Sequence, residues 1–204
     1  MTRNTTTLAA LGAAAALLLT SCTQQAPEPR PTQAASATPT PTPTVTIGPY
    51  EAAAPKDEAT AIKDAAAAYQ QYLDIVMDVY SHPNDITGLD KIAIDPALTD
   101  VTDESKELAG AGATATGSMT FEVDTDSSYS APSANGSGEK TEHGTVALHG
   151  CQDRSQMLLK NKDGSEMSGA DNNPRFYVDV TVVYSIDTGR WLVKDVDMHR
   201  SETC

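Results

Sequence analysis

The chain is short of positive charge, with 14 Lys and Arg set against 28 Asp and Glu and a net charge of −14. No basic patch is available to pair with phosphates, which argues against nucleic acid as a partner. Solubility is the simplest account of the acidity. No stretch reaches the about 20 consecutive apolar residues that a transmembrane helix needs. No Gly-rich loop offers a phosphate cradle, no Ser, His and Asp stand in a recognisable triad context, and no internal repeat is visible. Cysteine is also scarce, with Cys22, Cys151 and Cys204 making up all 3.

What is present begins with a targeting segment over residues 1–21. Arg3 supplies a short basic start, and Leu8–Leu19 (LAALGAAAALLL) has the composition of a signal-peptide core. The run ends in Leu19-Thr20-Ser21-Cys22, which resembles the bacterial lipobox. That resemblance implies a lipid on the Cys22 sulfur and cleavage that leaves Cys22 first. The chain would then be moored to a membrane on its extracytoplasmic face, and two acyl chains on one residue anchor stably. Cys151 and Cys204 remain as an even pair in a disulfide-permissive compartment. A bond between them would stabilise the domain by roughly 4 kcal/mol in the loop-entropy account. Two free thiols are the alternative.

From Cys22 to about residue 56 the chain changes character. Most of its 12 prolines fall here, including Pro39-Thr40-Pro41-Thr42-Pro43, and apolar side chains larger than Ala are rare. This composition reads as an extended tether, able to reach on the order of 100 Å. Residues 57–204 are long enough for one domain with its own core.

Within that domain, Ile62, Ala65, Ala66, Tyr69, Tyr72, Leu73, Val76 and Tyr80 form one stripe at helical spacing, predicting a helix over 57–80. Shorter helical pieces are expected between Ile86 and Ala111, with Pro96 opening one turn and Asp103–Leu108 forming another. After Gly112 the period becomes two. Met119, Phe121 and Val123 mark one strand, and residues 126–139, rich in Ser, Gly, Pro and Asn, read as an exposed loop. Val146 and Leu148 mark a second strand, and Met157 and Leu159 a third. Phe176, Val178, Val180, Val182, Tyr184 and Ile186 share one face of the fourth. Asp187-Thr188-Gly189 turns into Trp191-Leu192-Val193, and a parity change predicts a bulge near Lys194 and Asp195. Helices followed by an antiparallel meander give an α+β class, with the helices on one face of a curved sheet.

The helix 57–80, the ending Gly189-Arg190-Trp191-Leu192-Val193-Lys194-Asp195-Val196, and Cys151-Gln152-Asp153 with a terminal Cys204 together resemble the nuclear-transport-factor-2-like superfamily. They are similar in particular to its small Cys-paired lipoproteins from actinobacteria. The resemblance covers the domain and not the tether. It implies a cone-shaped half-barrel and no particular activity, since this fold hosts enzymes, binding modules and scaffolds.

Enzymes of the superfamily place a carboxylate and a Tyr or His inside the cone, so Tyr69, Tyr72 and Tyr80 are candidates, with Asp179 and His199 as partners. Tyrosines at helical spacing are more often core. His143 and His149, roughly 20 Å apart on a regular strand, do not suit a shared ion. Asp124-Thr125-Asp126-Ser127-Ser128 begins like a calcium loop but lacks its Gly and closing Glu, so no metal or cofactor is expected. Asn135-Gly136-Ser137 is a chance glycosylation match.

The expected function is therefore a non-catalytic binding or scaffold domain that meets an envelope protein, as monomer or dimer. The alternatives are an isomerase- or dehydratase-type enzyme and a carrier of a small hydrophobic ligand. The interior separates them. A scaffold would fill it with side chains such as Phe121, Val180 and Trp191. An enzyme would hold an ionisable group in an open pocket.

Overall fold

The computed structural model describes residues 51–167 and 173–204. The expected signal segment, Cys22 and the expected tether as far as residue 50 lie outside the described residues. The domain is α+β, with two α-helices and antiparallel sheets. No helix among the described residues is long and apolar enough to cross a membrane.

Helix α1 spans Glu58–Ser81, and its start is fixed by Asp57, whose carboxylate accepts the Thr60 backbone N–H at 2.7 Å. Its apolar stripe is buried over its whole length, from Ala61 to Tyr80. After a 3₁₀ turn at Leu89–Lys91, Ile92–Ile94 bonds along Val193 at the sheet edge. Helix α2 then runs over Ala97–Ala111 as one element, where the sequence suggests two shorter pieces. Pro96 stands at its N-cap, and Gly112 closes it at φ 66°, a left-handed turn that glycine adopts without strain.

The main sheet has the order β2-β3-β5-β6, with β2 at Thr120–Ala134, β3 at Lys140–Asp153, β5 at Arg175–Ser185 and β6 at Arg190–His199. It is open, with β2 and β6 at its edges. A separate pair joins β1 (Thr114–Thr116) to β4 (Leu158–Lys160). The expected loop at 126–139 is instead strand as far as Ala134, with a hairpin turn after it. Register shifts at Asp124/Tyr129 and Ala131/Ser133 break the alternation there, so composition reads as loop while the backbone still pairs with β3. The predicted bulge in β6 is present: Thr181 faces Asp195 and Val182 faces Val193, which leaves Lys194 out of register.

One face of this sheet is apolar and buried. Phe176, Val178, Val180 and Val182 are at most 1 % exposed, as are Val146, Leu148, Trp191 and Val193. Helix α1 lies across them, and Tyr184 meets Trp191 edge-on at 5.4 Å. Gly150 belongs to this face. A Cβ there would stand 2.6 Å from the Phe121 ring, so its bareness lets Phe121 lie over β3.

The stretch read as tether ends earlier than position 56. The Ala52 N–H donates to the Gly189 carbonyl at 3.0 Å, and the Tyr184 hydroxyl donates to the Ala52 carbonyl at 2.9 Å. Residues 51 and 52 are thus tied to the hairpin between β5 and β6. At the other terminus, Cys151 and Cys204 form a disulfide with a Cα–Cα separation of 5.8 Å. The pair is bonded.

Candidate functional site

The interior was the deciding region, and side chains occupy most of it. Tyr69 is fully buried, and its hydroxyl donates to Gln152 Oε1 at 2.8 Å. The Gln152 amide in turn reaches the Met119 sulfur at 3.6 Å. Phe121, half-buried, packs edge-on against Tyr69 at 4.9 Å, and Tyr72 stacks at 5.7 Å. Beside them a void of about 50 Å³ remains, lined by Tyr69, Tyr72, Met119, Gln152 and Arg154 among others. A water takes about 30 Å³ of liquid, so this is room for one or two waters, not a substrate.

An open groove of about 800 Å³ lies at one end of the domain. Leu108 and Ala111 of α2, Met157 before β4, Leu158 and Leu159 of β4, and Pro174 before β5 supply its apolar lining. Tyr80 forms its inner wall and donates its hydroxyl to the carboxylate of Glu104, which is itself exposed. Arg154 and Arg200 also line it, their guanidinium carbons 5.5 and 5.7 Å from the centre of the Phe176 ring. Such cation–ring contacts favour the placement of both guanidiniums here, where Glu104, Glu107 and Glu166 also line the groove.

Burial pushes the hydroxyls of Tyr69, Tyr72 and Tyr80 well above the ordinary tyrosine range, and the Glu104 charge adds to this at Tyr72 and Tyr80. A general base works best when its pKa lies near the working pH. These tyrosines are displaced in the opposite direction and stay protonated.

Asp179 and His199 are not with the tyrosines. They project from the opposite, solvent side of the sheet, because their strand parity is opposite to that of Val178, Val180 and Met198. There Asp179 accepts from His149 Nδ1 at 2.7 Å and from His199 Nε2 at 2.8 Å, one imidazole per oxygen. Tyr177 stacks on His149 at 5.1 Å. The sheet therefore separates the tyrosines from Asp179 and His199, the partners considered for the enzyme alternative.

His143 is engaged elsewhere, 2.8 Å from the Ser130 hydroxyl. Asp124 folds back to accept from the Asp126 and Ser127 amides at 3.0 and 3.4 Å, an acidic turn at the β2 bulge. Asn135 accepts from the Ser137 and Glu139 amides at 3.2 and 2.9 Å within the hairpin turn. Among the described residues no group of 3 or more His, Cys, Asp or Glu is arranged to hold a metal ion.

The sequence reading missed Gln152, Met119, Glu104 and Arg154 as members of this region. One signal was available: Gln152 continues the inward parity of Leu148 and Gly150, and a polar side chain at such a position needs a buried partner.

No family model matches the chain, and no curated protein matches it either. Among solved structures, the chain is similar to the intermembrane space region of chloroplast protein ARC6, at 11% identity and a TM-score of 0.42, over 71% of this chain and 98% of that one. It is also similar to a de novo designed β-sheet protein, at 16% identity and a TM-score of 0.26, over 67% and 88% of the two chains. At these scores neither likeness carries an argument about fold family or function.

Proposed function

We propose that this chain is an exported, lipid-anchored envelope protein, moored through Cys22, that presents a non-catalytic binding domain of the nuclear-transport-factor-2-like kind. The occupied interior carries the non-catalytic part of this reading. Val180 and Trp191, two of the side chains expected to fill the interior of a scaffold, are 1 % and 0 % exposed. The helix-then-meander order supports the family, and the lipobox-like Leu19–Cys22 supports the anchor. A disulfide that uses the other two cysteines fits an oxidising compartment.

The binding surface in this reading is the groove beside α2 and β4, where Leu158 is 44 % exposed and Met167 37 %. The test is a photoreactive residue placed at Leu158 in intact cells, with the remote Tyr129 as the comparison site. A discrete protein adduct from Leu158 alone supports the reading. Equal adducts from both sites, or none from either, would remove it. The anchor is tested separately, since Cys22→Ala should release the chain from washed membranes.

One observation favours a second reading. The groove volume falls within the range of small-molecule sites, roughly 300–1,000 Å³, and the Tyr80–Glu104 pair stands at its wall. A hydrophobic-ligand carrier or an enzyme would use that pair. A lipid-sized adduct at Leu158, abolished by Glu104→Gln, would favour it over a protein partner.

A further inference from the structure

The last residues of the chain form a strap tied at both ends and, between them, by Asn173 Nδ2, which donates to the Arg200 carbonyl at 3.0 Å. Its far end is the disulfide from Cys204 to Cys151 on β3. Its near end is His199, where β6 stops and the imidazole donates to Asp179. Between them the Tyr177 N–H donates to the Glu202 carbonyl at 3.2 Å, and the Glu202 N–H donates to the His199 carbonyl at 2.8 Å. Arg200, the first residue past His199, lines the groove. The near hold is made of titratable groups, and the far one is not.

We propose that Asp179 and His199 form a proton-operated latch on this strap, with His149 bonded to the second Asp179 oxygen. Asp179 sits at the centre, flanked in register by His149 on β3 and Asp197 on β6. Asp124 of β2 pairs with His149 from the other side, Tyr177 covers the His149 ring, and Glu202 reaches His199 from the strap itself. Asp179, Asp197 and Glu202 each draw a proton onto the His199 imidazole. The hydrogen bond from His199, and the charge behind it, hold that imidazole above its ordinary range. The two histidines hold the Asp179 carboxyl below its own.

The sign follows from these directions. The His199 contribution is complete below the unfolded histidine value, about 6.5, and is lost as pH rises through the higher folded value. Asp179 stays ionised throughout that window, so acidification tightens the strap and alkalinity loosens it. The latch does not depend on what the groove binds.

The experiment is hydrogen exchange, by NMR, of the Tyr177 and Glu202 amides in the full chain in detergent micelles, normalised to intrinsic rates. Protection should be about two- to fivefold greater near pH 5.5 than near pH 8, the scale expected of a partly exposed ion pair. His199→Gln should flatten that slope while the disulfide keeps the fold, and His82→Gln, remote at the end of α1, should leave it. Flat protection in the parent chain, a slope that survives His199→Gln, or a slope lost in His82→Gln would each overturn the latch.

Discussion

The two faces of the main sheet solve the same problem by opposite means. The inner face is dry: Phe176, Val178, Val180, Val182 and Trp191 meet α1, and its one polar side chain in the core, Gln152, is paired with Tyr69. The outer face is wet and acidic, and it is held by imidazole–carboxylate bonds and a disulfide. Packing in the dry layer fixes position closely and tolerates little change. The wet layer has little apolar area to bury, so it relies on a covalent tie and on groups that respond to protons. The comparison teaches where stability and where responsiveness reside.

Substitutions on each face test this division. The largest loss should come from Trp191→Ala, about 3–5 kcal/mol by denaturant titration, since the indole is fully buried against Tyr184. Removing the outer tie with Cys151→Ser and Cys204→Ser together should cost about 2–4 kcal/mol. If the double variant loses more than Trp191→Ala, the inner layer is not the main source of stability. Tyr69→Phe leaves the Gln152 carbonyl oxygen without its donor and should cost about 1–3 kcal/mol. The smallest effect belongs to Asp179→Asn, which should stay under about 1 kcal/mol because the carboxylate is more than half exposed. For the parent chain, that contribution is present above the unfolded aspartate value, about 3.9, fades as pH falls through the lower folded one, and is lost again as pH rises through the raised folded value of His199. A pH titration of stability for the two chains should diverge most between these limits and converge toward either end.

Elements whose apolar period is strong were legible in the sequence. The stripe from Ile62 to Tyr80 gave α1, the alternation from Phe176 to Tyr184 gave β5, and the parity slip at Lys194 gave the bulge. Residues 126–134 were not legible, because an edge strand with two register shifts pairs through its backbone while its side chains stay polar. Strand β1 is too short for any period to show, whereas β4 stands where Met157 and Leu159 predict a strand.

The burial of Tyr69, Tyr72, Val180 and Trp191 followed from spacing alone. The groove did not, because α2, β4 and the strap meet only in three dimensions. Asp179 and His199 are the candidate partners of the tyrosines, but strand parity places them across the sheet from those residues. For Asp179 that parity is visible in the sequence, where it falls on the polar face of its strand.

The contacts of Ala52 carry a mechanical consequence. Tension arriving along the chain from residues before Glu51 is delivered to the hairpin between β5 and β6, through the bonds to Gly189 and Tyr184. Those strands then carry the load along their length, while the groove opens at their far end, beside Pro174 and Arg200 and roughly 30 Å away. In the proposed anchoring, a tug would reach the Glu51–Arg190 ion pair and the Ala52 bonds before the hairpin itself.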